Sequence, residues 1–364
     1  MACSTNGVSV SPRHRRSIRK EAQPSCIRSC GKAEDAAGDV EGRRDAAITR
    51  KWDQTWCVVE MTSAYRPYIA GMTEFSYDDL AQDVATSNVS MLIGGLDTGK
   101  TTLALQAVRL ALASGRTPVI VDADVGNSTI GPPACVGMKV FNSLDDLEKL
   151  DQPDGLHFVG TVTPSRLVLQ HVVATAVMVE RAKQVGDVVI IDTTAVASGV
   201  SGETLKYHKS ELCRPEKIIA LQHGEEMEPV VGMLRRFLGI EVITAPTDPA
   251  LLPMTPDGRA RKRADGFAAA LQPPLDRWKV RPTVFAPTVP VGLNLGRLEG
   301  VLVGVQGSGG GCLGLGVLDH DDGILRVMTN VGEGMTGLRL GSMRLDTSTY
   351  ASTMVSLREV MFGV

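Results

Sequence analysis

One octapeptide constrains this chain more than any other feature. Gly94-Gly95-Leu96-Asp97-Thr98-Gly99-Lys100-Thr101 has the spacing GxxxxGK[ST]. The apolar run Ser90-Met91-Leu92-Ile93 precedes it and reads as a buried strand. Lys100 to Ser114 follows with helical apolar spacing through Leu103, Leu105, Val108, Leu110 and Leu112, and Gly115 serves as C-cap. A glycine-rich turn can match this spacing by chance. The strand before it and the helix after it are the context in which such a turn wraps phosphate. Glycines let backbone N–H groups turn inward, and the new helix adds its positive end. On that reading Lys100 reaches the β- and γ-phosphates, and the Thr101 hydroxyl ligates Mg2+. Gly94, Gly95, Leu96, Asp97, Thr98, Gly99, Lys100, Thr101 and Thr102 form the nucleotide contact set.

The surrounding pattern is α/β. Pro118–Val121, Val188–Ile191, Lys217–Leu221 and Ile240–Thr244 read as strands. They alternate with helical stretches over 167–185, 202–213 and 225–238. This predicts a P-loop NTPase fold with a mostly parallel, doubly wound sheet. Residues 253–282 are rich in Pro, Gly and Arg, and from 283 the reading is β, with a hairpin signal at His320–Gly323. The expected organisation is a low-complexity, disordered extension over 1–60, a P-loop kinase domain over 61–282 with a lid near 255–265, and a small β-rich domain over 283–364.

Composition removes several function classes. The chain has 364 residues and a net charge of −3. Residues 1–50 hold ten basic and six acidic residues, so the remaining 28 basic and 35 acidic residues give −7. The body is not globally basic, and any nucleic-acid contact is a local patch. Aromatics at 4% exclude stacking platforms as the main design. No apolar run is long enough to span a membrane. Seven scattered cysteines, with Cys26 and Cys30 spaced CxxxC but no second pair, read as reduced thiols in a cytoplasmic protein.

Three further groups are candidates for chemistry. Asp122 and Asp124 end the second strand two residues apart, at the edge where open α/β sheets bind ligands. One can hold metal-bound water while the other accepts a proton from an attacking hydroxyl. Asp192-Thr193-Thr194 ends a later strand, and either orders Mg2+ water or caps the next loop. Arg259, Arg261, Lys262 and Arg263 form a basic cluster that is either a solvated loop or a set of phosphate forks. If helical, Arg259 and Arg263 share a face. Gln222 and His223 are either nucleobase contacts or ordinary strand-end polar residues.

The stretches GGLDTGKTTL and VDADVGNSTIGPP, with GTVTPSR at 160–166 and ELCRP at 211–215, resemble the polynucleotide 5′-hydroxyl kinase family. That family includes the kinase subunit of the pre-mRNA cleavage complex and ribosomal-RNA processing kinases, and this chain resembles its short prokaryotic-type members. The resemblance implies transfer of the ATP γ-phosphate to a 5′-hydroxyl end of RNA or DNA. It implies Lys100 and Thr101 on phosphates and Mg2+, Asp124 as activating base and metal contact with Asp122 assisting, and Arg259 and Arg263 in a closing lid. Two positions depart from the family pattern. Asn127 replaces a Gln, and Thr193-Thr194-Ala195-Val196 stands where eukaryotic members have TxGW, so Val196 offers no ring to a base. The competing functions are an ATPase- or GTPase-like hydrolase and a non-catalytic ATP-binding scaffold in RNA processing. No guanine-reading NKxD tetrapeptide occurs.

Overall fold

The computed structural model describes residues 48–52, 55–59, 76–248 and 250–362. The chain divides into two units, Met1–Gly71 and Met72–Val364. In the first, β1 (Ile48–Trp52) and β2 (Thr55–Val59) pair antiparallel, with Ile48 opposite Val59. The rest of the expected extension over 1–60, with its basic run and Cys26 and Cys30, lies outside the described residues.

The second unit opens with α1 (Tyr77–Thr86), β3 (Val89–Gly94), α2 (Lys100–Ala113), β4 (Pro118–Ala123), β5 (Cys135–Val140) and β6 (Gly155–Phe158). It continues with α3 (Val168–Ala182), β7 (Val188–Thr193), α4 (Gly199–Cys213), β8 (Lys217–Gln222), α5 (Glu228–Leu238) and β9 (Glu241–Pro246). These strands form one sheet in the order β6-β5-β4-β7-β3-β8-β9. Pairs from β4 to β9 are parallel, whereas β5 and β6 add an antiparallel edge.

Strand alternation divides the core in two. Met91, Ile93, Val119, Val121, Val189, Ile191, Ile218 and Ala220 face Ala174, Met178 and Val179 of α3 and Val230, Val231 and Leu234 of α5. Their neighbours Leu92, Ile120, Val188, Ile190, Ile219 and Leu221 face Leu103, Ala104, Ala107 and Val108 of α2 and Leu80 and Val84 of α1. Successive side chains of a strand point to opposite faces, so a run apolar at every position needs helices on both. This is the expected α/β P-loop architecture. The order also fixes the site. The first crossover leaves β3 for β4, β7 later fills the gap between them, and β8 pairs on the other side of β3. The carboxyl ends of β4, β7 and β3 therefore meet at the switch point where open α/β sheets take ligands.

After this comes α6 (Pro256–Ala270), within the stretch rich in Pro, Gly and Arg to which the sequence assigned a lid but no element. The overlooked start signal is Thr255-Pro256: the Thr255 hydroxyl accepts from Gly258 N at 3.1 Å, and Pro fits the first helical turn. The second sheet comprises β10 (Asp276–Lys279), β11 (Phe285–Ala286), β12 (Val301–Gln306), β13 (Cys312–Asp321), β14 (Ile324–Thr329), β15 (Gly337–Leu345) and β16 (Ser352–Met354), and α7 (Leu357–Phe362) follows. Its order is β10-β14-β13-β12-β15-β11, with β16 on β15, and only β11–β15 is parallel. The expected hairpin is the Asp322-Gly323 turn between β13 and β14, with φ of 51° and 73°. The sheet takes in β10 ahead of 283, because the charged run Asp276–Lys279 pairs with Thr329–Arg326.

The two sheets share a core. Ala134, Cys135 and Phe158 pack with Phe267 and Leu271 at the end of α6 and with Leu302, Leu315 and Val317 of the second sheet. Gly304 of β12 lies so close to Phe158 that an added Cβ would overlap the ring. Ser342 N donates to Gly160 O at 2.7 Å across the same joint.

Candidate active site

The Gly94–Thr101 loop joins β3 to α2. Gly99 caps α2 with φ 86°, the left-handed region that favours glycine, and a Cβ there would sit 2.6 Å from Leu251 Cδ1 and push that side chain aside. Asp97 also adopts positive φ, 54°. Lys100 is 7% exposed. Its Nζ donates to Gly94 O at 3.1 Å, Gly95 O at 2.6 Å and Thr98 Oγ1 at 3.2 Å, so the ammonium lies across the mouth of its own loop. Burial lowers its pKa, against the attraction of Asp192, Asp124 and Asp97. Leu96 and Thr102 are exposed.

Three carboxylates stand at adjacent strand ends. Thr101 Oγ1 donates to Asp192 Oδ2 at 2.5 Å, which brings the first turn of α2 to the end of β7. The other oxygen, Oδ1 of Asp192, is buried and has no hydrogen-bond partner among the described residues. Burial raises the Asp192 pKa, opposed by Lys100 and Thr101. Asp122 is taken up by the loop that follows it. Its Oδ2 accepts from Thr129 N at 2.6 Å, Ile130 N at 2.9 Å and the Ser128 hydroxyl at 3.3 Å, and its Oδ1 accepts from Asp124 N at 2.9 Å. Burial, then Asp192 and Asp124, push Asp122 up to about 7. In Asp124 only Oδ1 is engaged, by Gly126 N at 3.1 Å and Asn127 N at 3.2 Å. The two acids that share a spacing thus differ in availability.

Helix α6 reaches back to both loops. Arg259 pairs with Asp97 at 2.9 Å, and Met254 N donates to the same oxygen at 3.2 Å. Lys262 donates to Asn127 O at 3.0 Å and Thr129 Oγ1 at 3.2 Å. Arg263 is partly buried one turn beyond Arg259 and has no hydrogen bond or ion pair among the described residues. Near the loop, His223 Nε2 lies 3.3 Å from Leu96 O, and its Nδ1 lies 2.9 Å from Thr247 Oγ1. Gln222 Nε2 donates instead to Glu228 at 3.0 Å.

The sequence reading missed a buried group behind the carboxylates: Lys206 and Lys209 of α4 and His171 of α3, all 0% exposed. Their signal was position. Gly202, Leu205, Lys206, Lys209 and Cys213 recur on one face of α4 and are all buried, so the lysines occupy core positions. A separate cleft of about 480 Å3, lined by Asn88, Arg116, Lys183 and Asp187, opens at the amino ends of β3 and β7, away from the loop. Arg116 there is already bound to the carbonyls of Ala85 and Asp187. Among the described residues no helix is long and apolar enough to cross a membrane.

Comparison with known proteins matches this geometry to a family. Residues 94–269 match the family described as mRNA cleavage and polyadenylation factor CLP1 P-loop. A polyribonucleotide 5′-hydroxyl-kinase of Pyrococcus horikoshii is 39% identical over 145 residues, covering 39% of this chain and 39% of that one. One from Pyrococcus furiosus is 40% identical over 146 residues, covering 39% and 40%. The chain thus spans about two fifths of the length of these relatives. Among solved structures, a chain of the wild-type Clp1p–Pcf11p complex aligns with a TM-score of 0.51 at 14% identity, over 73% of this chain and 77% of that one, and so shares the fold. The match to the CLP1 P-loop family runs from the first glycine of the loop through nearly all of α6.

Proposed function

We propose that this protein is an ATP-dependent polynucleotide 5′-hydroxyl kinase that moves the γ-phosphoryl group of ATP to a 5′-hydroxyl end of RNA or DNA. The observation that carries the reading is the contact of Thr101 with Asp192 beside Lys100, with Asp124 directly after β4, the strand that pairs with β7. The printed activity of the two Pyrococcus relatives points the same way.

The residues fit a divalent cation. Asp192 presents a buried oxygen with no partner beside a hydroxyl, and hard oxygen donors are what Mg2+ takes. Thr101 and Asp192 would hold it, with Asp124 bearing on its water shell; when bound, Mg2+ neutralises charge on the β- and γ-phosphate oxygens. Gly94 through Thr102 cradle the nucleotide phosphates through backbone N–H groups, and Lys100 adds a fixed positive charge. Asp124, with Oδ1 held by two loop N–H groups, takes the proton of the attacking 5′-hydroxyl on Oδ2. Asp122 spends its lone pairs on the 128–130 turn, so it shapes the loop that aims Asp124. Arg259 and Arg263 carry the lid's charge, with Asp97 as the anchor of Arg259 at the loop edge. A proton acceptor beside the nucleotide loop would serve water or an alcohol alike, and the printed activity of the Pyrococcus relatives favours the alcohol.

The test is to incubate the full chain with γ-labelled ATP, Mg2+ and 5′-hydroxyl oligoribonucleotide or oligodeoxyribonucleotide. Label on the oligonucleotide supports the kinase, and the two substrates decide RNA against DNA. Free phosphate alone would make it a hydrolase; retained, unreacted ATP would make it a scaffold.

A further inference from the structure

We propose that Lys206 and Lys209 are positioning residues for phosphoryl transfer: from one face of α4 they hold the carboxyl ends of β7 and β4, and with them Asp192 and Asp124, in register with the phosphate loop. The claim rests on the kinase reading above.

Both side chains are fully buried and lie three residues apart on one helix face. Lys206 Nζ donates to Thr193 Oγ1 at 2.6 Å and to Thr194 O at 2.5 Å, directly after Asp192. Thr193 Oγ1 donates onward to Leu92 O at 2.7 Å, two residues before Gly94. One chain of bonds therefore runs from α4 through the end of β7 to the strand that enters the phosphate loop. Lys209 Nζ lies 2.8 Å from His171 Nε2, which lies 2.8 Å from Ala123 O. Ala123 separates Asp122 from Asp124, and one ring nitrogen cannot both accept from Lys209 and donate to the carbonyl, so Lys209 reaches the backbone that aims the proposed base by packing against His171 rather than by a relay of hydrogen bonds.

Neither lysine has an ion pair among the described residues. Met would fill much the same volume without desolvating an ammonium. What lysine adds is a set of donors at the end of a long stem; those of Lys206 meet the end of β7, and Lys209 meets the histidine that touches the end of β4. In-line transfer is sensitive to shifts of an ångström, so the strand-end grip acts on turnover more than on nucleotide capture.

The experiment compares the full chain with Lys206→Met and Lys209→Met. Turnover is read with γ-labelled ATP and a 5′-hydroxyl oligonucleotide, ATP affinity by calorimetry across a Mg2+ series, and folding by thermal melting. Each folded variant is expected to lose on the order of 10²-fold in kcat. The KM for ATP at saturating Mg2+ stays within about threefold. For Lys206→Met the Mg2+ needed for half-maximal ATP binding rises about tenfold, as it does when a ligand's supporting partner is lost. A folded Lys206→Met variant with wild-type kcat and wild-type Mg2+ dependence overturns the proposal. If the Met variants do not fold, Thr193→Val removes the acceptor hydroxyl while keeping its shape, and it must show the same loss; wild-type turnover there is equally fatal. If the unaltered chain labels no oligonucleotide, the kinase reading has failed, and the Mg2+ dependence of ATP binding still decides the positioning claim.

Discussion

Lys100 is the residue on which nucleotide binding turns. Its Nζ is held by two carbonyls and a hydroxyl and aimed along its own loop, with three carboxylates opposing the burial that lowers its pKa. Replacing Lys100 with Ala is expected to remove at least about 10²-fold in kcat and to weaken ATP binding in calorimetry, as loss of a preorganised charge does. Normal binding by that variant would mean that the loop holds something other than phosphate. Asp124→Asn separates binding from chemistry. The amide keeps an acceptor for Gly126 N and Asn127 N but cannot take a proton, so labelled transfer falls by about 10²–10⁴. ATP affinity stays within about threefold, because the phosphates are gripped by the loop and Lys100. Undiminished transfer would place the proton acceptor elsewhere. Arg259→Ala tests the lid: it frees Asp97, and if the guanidinium bears on the transferring group, single-turnover rates drop by about 10³-fold or more.

Elements were legible where chemistry and periodicity coincide. The glycines at 94, 95 and 99 sit between an apolar run and a helical one, and the three strand-end acids follow runs apolar at every position, so loop, strands and acids could be placed from residues alone. Helix α4 itself was legible at 202–213, but its buried lysines were not, since two lysines in a polar stretch resemble a solvated face until the burial of Leu205 and Cys213 fixes the phase. Helix α6 was hidden because Gly, Arg and Pro dominate its first turns, although Thr255-Pro256 marks its start. The buried lysines also give α4 a pH signature. Burial, against the pull of Cys213 and the three acids, lowers Lys209 from an ordinary 10.5 to about 7. Between those values the unfolded chain holds a proton that the folded one has released. Stability therefore rises with pH through that window, by at most about 1.4 kcal/mol per pH unit from this group. Below pH 7 both states are protonated and its slope vanishes. Denaturant melts of Lys209→Met from pH 7 to 10 should show a flatter rise than the unaltered chain, and parallel curves would show that Lys209 titrates normally.

At the scale of the molecule, the phosphate loop, the acids and the lid belong to the sheet centred on β3, while the second sheet contributes a joint. That joint was not legible, because Gly304 and Phe158 are 146 positions apart and neither carries chemistry. Gly304 has no side chain because the Phe158 ring occupies the space. Gly304→Ala then drives a methyl group into an aromatic ring fixed by Ala134, Cys135 and Phe267. Interiors are close-packed, so the ring or the sheet must shift, at about 1–3 kcal/mol. Trimming the obstacle should reverse part of this: Gly304→Ala with Phe158→Leu is expected to be more stable than the sum of the single changes, by about 0.5–3 kcal/mol of coupling in denaturant melts. Additive losses would mean that the two sheets do not press on each other there. The same cluster holds Phe267 and Leu271 of the helix that carries Arg259, whereas the phosphate loop lies four strands from β6. A strained joint should therefore reach the lid before it reaches the loop, so Gly304→Ala slows phosphoryl transfer at a temperature where ATP affinity is unchanged, and equal losses in both would show that the second sheet braces the whole first sheet.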